Sequence, residues 1–496
     1  MNHCLVMNIE ERSHTRSLGP YRIAHYMRQH GWDAEVIDYC AHWTQDELAE
    51  LCLSRINSNT KFIGFSSLFT GWTKHINVFS KFVRKMYPHI YQISGSSSLP
   101  NLDMPSIDYH VYGFGEKALI ETLRYLFSNG TEPAYFNQFE TKVIDASKYP
   151  AYPMSEYTVL YEDRDFIQPW EFLSIETARG CKFKCSFCNF SVLGVKGDYS
   201  TSAESFERQL KQNYDKWGIK NYVIAEETFN DRTEKVEKFS KVVKKLDFNP
   251  WFGAYIRADL LISRENEPEF LADMNVFGQF YGIETFNNKT AKAIRKGMDR
   301  DKMKARLLDI KKYYESITDK YRGNISLITG LPYESRDSIY NSLDWILKNW
   351  NTQSMTVYAL GIPVYGRQST LSNTYSNNDY KEIEIDTLYK KHNNHRLVDW
   401  VVKKNNIIRK KQVAEKKWLM WENEQMDVVD AYGMMFEFQD VMKKHNFKKS
   451  TFAVSEFSGK KATLEDKLKL TINDVKGWRS EEMDWIGEYK DMKLAC

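Results

Sequence analysis

The chain has 496 residues, of which 42% are hydrophobic and 27% charged, and its formal net charge is +3. This composition is ordinary for a globular protein, and at roughly 100–200 residues per domain the length predicts more than one domain. Because the charge is nearly balanced and no apolar run approaches about 18 residues, we expect neither a nucleic-acid partner nor a membrane span. The amino terminus lacks a signal-peptide pattern, so we predict a cytoplasmic protein.

Residues 1–130 alternate between strand-like apolar runs and helical stretches, and the strand candidates are HCLVMNI, AEVIDYC, KFIGFSS, YQISGS and DYHVYGFG. Such alternation predicts a doubly wound parallel sheet of the Rossmann type. Ligands of these sheets bind at the carboxyl ends of the strands, where this chain is rich in small residues. The candidate binding residues at this edge are Ser66, Gly95, Ser96, Gly113, Gly115 and Glu116. Small residues in these loops equally suit tight turns.

A second alternating series follows a proline-rich connector, which we assign to residues 131–169. Six strand candidates separated by helical segments predict a partial (β/α)6 barrel of the TIM type over residues 170–365. The remaining residues, 366–496, are polar and are predicted to form a mostly helical region.

Three of the seven cysteines, Cys181, Cys185 and Cys188, stand in the spacing CxxxCxxC directly after the first barrel strand. Barrel enzymes carry their chemistry on the loops that follow the strands. In a reducing compartment, clustered cysteines serve as metal ligands or catalysts more often than as disulfides. We therefore predict a metal centre on this loop.

The ligand count separates two kinds of metal centre. A structural zinc site usually needs four cysteine or histidine ligands, and the barrel contains no histidine and no cysteine beyond the three. Three thiolates suit a four-iron cluster with one open iron, whereas electron-transfer clusters are normally held by four cysteines. A carboxylate or a ligand from another domain remains an alternative way to close a zinc site.

These residues resemble the radical S-adenosylmethionine (SAM) superfamily, whose hallmark is CxxxCxxC with an aromatic residue before the third cysteine, here Phe187. The resemblance implies that the three cysteines hold a [4Fe-4S] cluster and that SAM binds to its open iron. It further implies reductive cleavage of SAM to a deoxyadenosyl radical, with electrons from a donor such as a flavodoxin or a ferredoxin.

The ends of the later barrel strands carry residues that SAM would need. Glu226 and Glu227 in AEETFND are candidate acceptors for its ammonium group, and the absence of the glycines of the family's Gly-Gly-Glu-like segment leaves open which of them acts. The resemblance implies that Arg257 pairs with the SAM carboxylate. Glu284 is a candidate for the ribose or a substrate, and Gly330 for the approach to the adenine.

The first domain resembles that of the cobalamin-binding branch of the superfamily, in RSLGPYRIAHYMRQHGWDAEVIDY and in YGFGEKAL. The resemblance implies cobalamin as a cofactor. However, the DxHxxG motif that would supply a lower cobalt ligand is absent, and we interpret His14 as a loop histidine. Members of this branch also keep the fold without a corrin, and the sequence does not separate the two cases.

The leading hypothesis is cobalamin-dependent methylation of an unactivated carbon. The alternatives are a cobalamin-independent radical rearrangement, oxidation or cyclisation and, from another class, a non-catalytic zinc or nucleic-acid-binding protein with residues 403–418 as a basic arm. The expected substrate is a small molecule or a peptide, which the sequence does not identify further.

Overall fold

The computed structural model describes residues 1–8, 16–38, 52, 54–66, 73–97, 99–100, 103–165, 167, 169, 171–188, 199–297, 299–362, 379–407, 415–416 and 419–447. His14 and most of the basic segment 403–418 lie outside these residues. The described residues fall into two compact units. The first comprises those within Met1–Glu176 and Lys196–Tyr222, and the second comprises those within Thr177–Val195 and Val223–Ala453.

The amino-terminal part of the chain forms a seven-stranded sheet with the strand order β2-β1-β3-β4-β5-β7-β6. Its strands are β1 (His3–Asn8), β2 (Asp33–Ile37), β3 (Thr60–Ser66), β4 (Tyr91–Ser96), β5 (Tyr109–Tyr112), β6 (Phe136–Gln138) and β7 (Thr141–Asp145). The helices described are α1 (Leu18–Gln29), α2 (Thr73–Met86) and α3 (Glu116–Phe127). Every neighbouring pair is parallel except β6 with β7. The predicted doubly wound sheet is confirmed.

Two strands of this sheet lie in the segment predicted as a connector. In β7 the sequence TKVID buries four of its five residues beside β5. The surrounding prolines and aromatic residues hide this short alternation, so the sequence did not reveal it. The domain limits themselves stay a prediction.

The second sheet has six strands in chain order, from β8 at one edge to β13 at the other. They are β8 (Phe172–Ile175), β9 (Asn221–Ile224), β10 (Trp251–Ile256), β11 (Gly278–Glu284), β12 (Arg322–Thr329) and β13 (Ser354–Ala359). The intervening helices are α4 (Ala203–Trp217), α5 (Thr233–Val243), α6 (Ala258–Ser263), α7 (Glu267–Asp273), α8 (Asn288–Ala293), α9 (Arg300–Ile317) and α10 (Arg336–Asn349). Sequential strands with helical crossovers confirm the predicted partial barrel.

Side-chain caps fix where several barrel helices begin. The side chains of Ser202, Asp299 and Ser335 accept hydrogen bonds from backbone amides in the first turns of α4, α9 and α10. These bonds satisfy donors that the helices cannot satisfy internally.

Beyond the barrel, the described residues are mostly helical, as predicted. They form α11 (Ile385–Lys391), α12 (His395–Asn405) and α13 (Val428–Lys444), with the short strands β14 (Lys381–Glu382), β15 (Asn406–Ile407), β16 (Glu415–Lys416) and β17 (Trp421–Glu422). Asp427 and Asp430 form a capping box at the start of α13. This helix docks at the end of β12, where the Thr329 hydroxyl donates to the Ala431 carbonyl at 2.9 Å. Among the described residues, no helix combines the length and apolar character needed to cross a membrane.

Candidate active site

The cysteine loop follows β8 and is turned by Gly180, whose φ of 81° lies in the left-handed region that favours glycine. All three cysteines are half-buried. The Cys181 Sγ lies 3.6 Å from the Thr228 hydroxyl, and the Cys185 Sγ accepts a hydrogen bond of 3.3 Å from Arg257 Nη1. The loop therefore places the thiols of Cys181 and Cys185 at the ends of β9 and β10.

The donor set on this loop fits one kind of metal centre better than the other. Three half-buried thiols suit a [4Fe-4S] cluster with one open iron, whereas a closed structural zinc site usually takes four cysteine or histidine ligands.

Arg257, at the end of β10, is a cation in direct contact with the cysteine loop. Its Nε contacts both carboxylate oxygens of Asp259 at 2.8 and 3.0 Å, and its guanidinium lies 4.0 Å from the centre of the Phe183 ring. Burial alone would lower the pKa of Arg257, but the bonds to Asp259 and Cys185 raise it. A permanently charged, oriented guanidinium suits the recognition of a carboxylate.

The two glutamates after β9 have different surroundings. Glu226 is buried and bonded by Lys235 Nζ at 2.5 Å and by the Thr177 hydroxyl. Lys235 also contacts Asp231 at 2.7 Å, so the carboxylate of Glu226 is committed to a buried ion-pair network. Burial raises the pKa of Glu226, and the lysine opposes this.

Glu227 is half-buried and close to the cysteine loop. Burial raises the pKa of the Cys181 thiol, and the Glu227 carboxylate raises it further. Of the two glutamates, Glu227 is therefore the one whose charge acts on a cysteine of the loop.

Glu284 ends β11 with a φ of 67°, next to a bulge between Gly282 and Glu284. Its Oε1 accepts a hydrogen bond of 2.9 Å from Lys296 Nζ. Phe187 lies beside the same lysine, with its ring centre 5.6 Å from Nζ. The structure thus brings Glu284 and the cysteine loop together through one cation.

Gly330, after β12, is covered by a residue of the carboxyl-terminal region. A Cβ at Gly330 would lie 2.4 Å from Trp421 Cη2, and the Tyr380 hydroxyl donates to the Gly330 carbonyl at 2.8 Å. The indole therefore occupies the face where a side chain would be. Contact between Gly330 and an adenine stays a prediction.

The candidate residues of the first unit gather at one edge of its sheet, at or just after the ends of β3, β4 and β5: Ser66, Gly95, Ser96, Gly113, Gly115 and Glu116. Gly113 has a φ of 102°, and its amide donates to the Ser96 carbonyl at 2.9 Å. Glu116 is buried and paired with Arg22 Nε at 2.8 Å, while Arg22 Nη1 also reaches Glu176 at 3.2 Å. Glu116 thus has a structural partner, and its contact with cobalamin stays a prediction.

Sequence reasoning missed Lys235 and Lys296, the buried partners of Glu226 and Glu284. Both lie in chain segments with several lysines, and no spacing marks them as buried. Their roles depend on contacts with a glutamate at the end of a strand, which a single sequence does not display.

The match to a known family covers the barrel: residues 175–346 match the model of the radical SAM superfamily. With the cysteine loop at the end of β8, this match shows that the chain contains a radical SAM domain and supports a radical SAM enzyme. The domain implies a [4Fe-4S] cluster and SAM as cofactors. A search of curated proteins finds no match.

Two solved structures of TsrM, a radical SAM methyltransferase from Kitasatospora setae, resemble this chain. The one with tryptophan substrate and the SAM analogue aza-SAM has a TM-score of 0.66 and 12% identity, over 99% of this chain and 98% of that chain. The one with cobalamin and a [4Fe-4S] cluster has a TM-score of 0.59 and 14% identity, over 73% of this chain and 76% of that chain.

OxsB, a cobalamin-dependent SAM radical enzyme, is also similar. Its structure with aqua-cobalamin and SAM has a TM-score of 0.59 and 14% identity, over 96% of this chain and 79% of that chain. At these identities the likeness shows a shared fold: an amino-terminal Rossmann-like sheet followed by a radical SAM barrel.

Proposed function

We propose that this radical SAM enzyme uses cobalamin to methylate an unactivated carbon of a small molecule or a peptide. The observation that carries the proposal is the whole-length likeness in fold to a radical SAM methyltransferase, which includes the amino-terminal sheet. When bound, the cluster would supply the electron that cleaves SAM to a deoxyadenosyl radical, and cobalamin would supply the methyl group.

In this proposal Cys181, Cys185 and Cys188 hold the cluster. Arg257 is already oriented by Asp259, with Nη1 pointing to Cys185. A carboxylate bound next to that cysteine would meet the guanidinium without further ordering of the side chain, which favours binding. We assign Arg257 to the carboxylate of SAM.

Glu227 is our candidate acceptor for the ammonium group of SAM. Glu226 is buried and bonded to Lys235, so turning it toward a ligand would leave the lysine with fewer partners in a buried site. Glu227 is half-buried and influences Cys181 electrostatically. Glu284 is assigned to the ribose of SAM, and an external electron donor such as a flavodoxin or a ferredoxin is expected.

A matched pair of variants tests the assignment of the two glutamates. We expect Glu227→Gln to weaken SAM binding about tenfold, the cost of one hydrogen bond to a charged group, with the iron content unchanged. Glu226→Gln should instead lower the stability of the enzyme, with a smaller effect on the affinity of the folded enzyme for SAM. The opposite pattern would assign the ammonium group to Glu226.

Corrin uptake tests the cobalamin part of the proposal. The anaerobically purified enzyme is incubated with hydroxocobalamin, desalted and examined by absorbance, with about one corrin per chain expected. His14→Ala should take up the corrin with an unchanged spectrum, because the DxHxxG motif is absent. An enzyme that cleaves SAM but retains no corrin would contradict cobalamin-dependent methylation and favour a radical rearrangement, oxidation or cyclisation.

A further inference from the structure

The turn that ends α8 contacts the cysteine loop and Arg257 through its backbone. The Ser186 amide donates to the Ile294 carbonyl at 3.3 Å, and Arg257 Nη2 donates to the Arg295 carbonyl at 3.5 Å. Arg295 itself has a φ of 62°, in the left-handed region. We call residues 294–296 the α8 turn. The strained backbone conformation is held by contacts to two parts of the candidate site.

Lys296, the last residue of the α8 turn, connects this turn to β11. Its Nζ donates to the Gly282 carbonyl at 2.7 Å and to Glu284 Oε1 at 2.9 Å. Both side chains are only 9% exposed. Within the described part of the chain, the second carboxylate oxygen of Glu284 has no hydrogen-bond partner, so it is available to a ligand.

The end of β11 leaves just enough room for this ion pair. A Cβ at Gly282 would lie 2.8 Å from Glu284 Oε1 and 2.9 Å from Lys296 Nζ. A side chain at this position would therefore displace the ends of both charged side chains. The adjacent bulge and the φ of 67° at Glu284 turn this carboxylate out of the regular alternation of the strand.

We propose that Lys296 is a positioning residue that holds Glu284 for the ribose of SAM. The lysine fixes one carboxylate oxygen, which leaves the other to accept a hydrogen bond from a ribose hydroxyl. The α8 turn also contacts Ser186 and Arg257, so the Glu284 carboxylate is held at a fixed position relative to the cysteine loop. This inference rests on the proposed assignment of Glu284 to the SAM site.

The test compares the binding of SAM with that of S-(2′-deoxyadenosyl)methionine, which lacks one ribose hydroxyl. Both are titrated into the anaerobically reconstituted enzyme in a calorimeter. The wild type should prefer SAM about tenfold, as expected for one hydrogen bond to a charged group. Lys296→Met should bind SAM about tenfold more weakly and show almost no preference between the two ligands.

Gly282→Ala is a second variant that perturbs the same pair sterically. Its methyl group displaces the flexible ends of Glu284 and Lys296 while both charges remain, so it tests the position of the carboxylate even if Lys296→Met does not fold. Lys292→Met, at an exposed position on α8, is the matched control and should retain the wild-type preference. Iron content is measured for every variant.

Loss of the ribose preference in Lys296→Met and Gly282→Ala, with about four irons per chain retained, is the expected result. The inference is overturned if folded variants keep the wild-type preference, if the preference falls only in proportion to iron, or if the wild type binds SAM without any preference. A wild type that holds no iron or binds neither ligand would contradict the proposed function itself, so the two failures are distinguishable.

Discussion

A buried carboxyl in the loop after β12 predicts how the stability of the enzyme depends on pH. Glu334 is 2% exposed, and its Oε1 accepts a hydrogen bond of 2.6 Å from the Thr285 hydroxyl. Its Oε2 has no hydrogen-bond partner in the described part of the chain. Burial raises the pKa of this carboxyl to about 8, although the hydrogen bond from Thr285 and the charge of Arg300 both act to lower it.

The folded state therefore keeps a proton that the unfolded chain loses near its ordinary pKa of 4.5. The stability that the protonated Glu334 carboxyl contributes is fully present below pH 4.5 and is lost as the pH rises through about 8. At pH 7 the difference in pKa costs the folded state about 3 kcal/mol. Glutamine has nearly the same shape as glutamate and is neutral, so it would not lower the stability of the folded state in this way.

Glu334→Gln should therefore raise the free energy of unfolding at pH 7 by about 3 kcal/mol and should flatten its fall between pH 5 and pH 8. Urea unfolding followed by tryptophan fluorescence across this range measures both effects. Glu265→Gln, at an exposed position, should change stability by less than about 0.5 kcal/mol. A Glu334→Gln enzyme that is less stable at pH 7, or that keeps the wild-type pH dependence, would refute the reasoning.

Two further substitutions test the packing around the site. Lys235→Met should lower the free energy of unfolding by about 3–5 kcal/mol, because it leaves the Glu226 carboxylate buried without its cation, and a change below about 1 kcal/mol in urea unfolding would contradict this. Gly330→Ala should cost more than Gly31→Ala in the same assay. Both glycines have a positive φ, but only the first would place a Cβ against Trp421, whereas the second has open space around it. Equal losses for the two variants would show that the indole moves away freely.

Much of the fold follows from local patterns in the sequence. The strands from HCLVMN in β1 to SMTVYA in β13 are short apolar runs separated by helical segments, and a parallel sheet buries such runs on both faces. The cysteine spacing and the missing fourth ligand pointed to the cluster from residue types alone.

What the sequence did not predict depends on contacts between distant residues. Glu226 and Glu227 are adjacent and chemically alike, and only the fold places Lys235 against the first of them. The backbone φ of Glu284 and the clearance at Gly282 likewise arise from the bulge in β11, which has no signature in the residue types. The strand β7 was hidden because five residues are too few for a reliable period.

Anaerobic reconstitution with iron and sulfide, followed by reduction in the presence of SAM, tests the central claim most directly. The wild type should hold about four irons and matching sulfide per chain and release 5′-deoxyadenosine and methionine in equal amounts. Cys185→Ala should lose the cluster and the cleavage of SAM together. One tightly held zinc without sulfide in the wild type, or unimpaired cleavage of SAM by Cys185→Ala, would contradict the account.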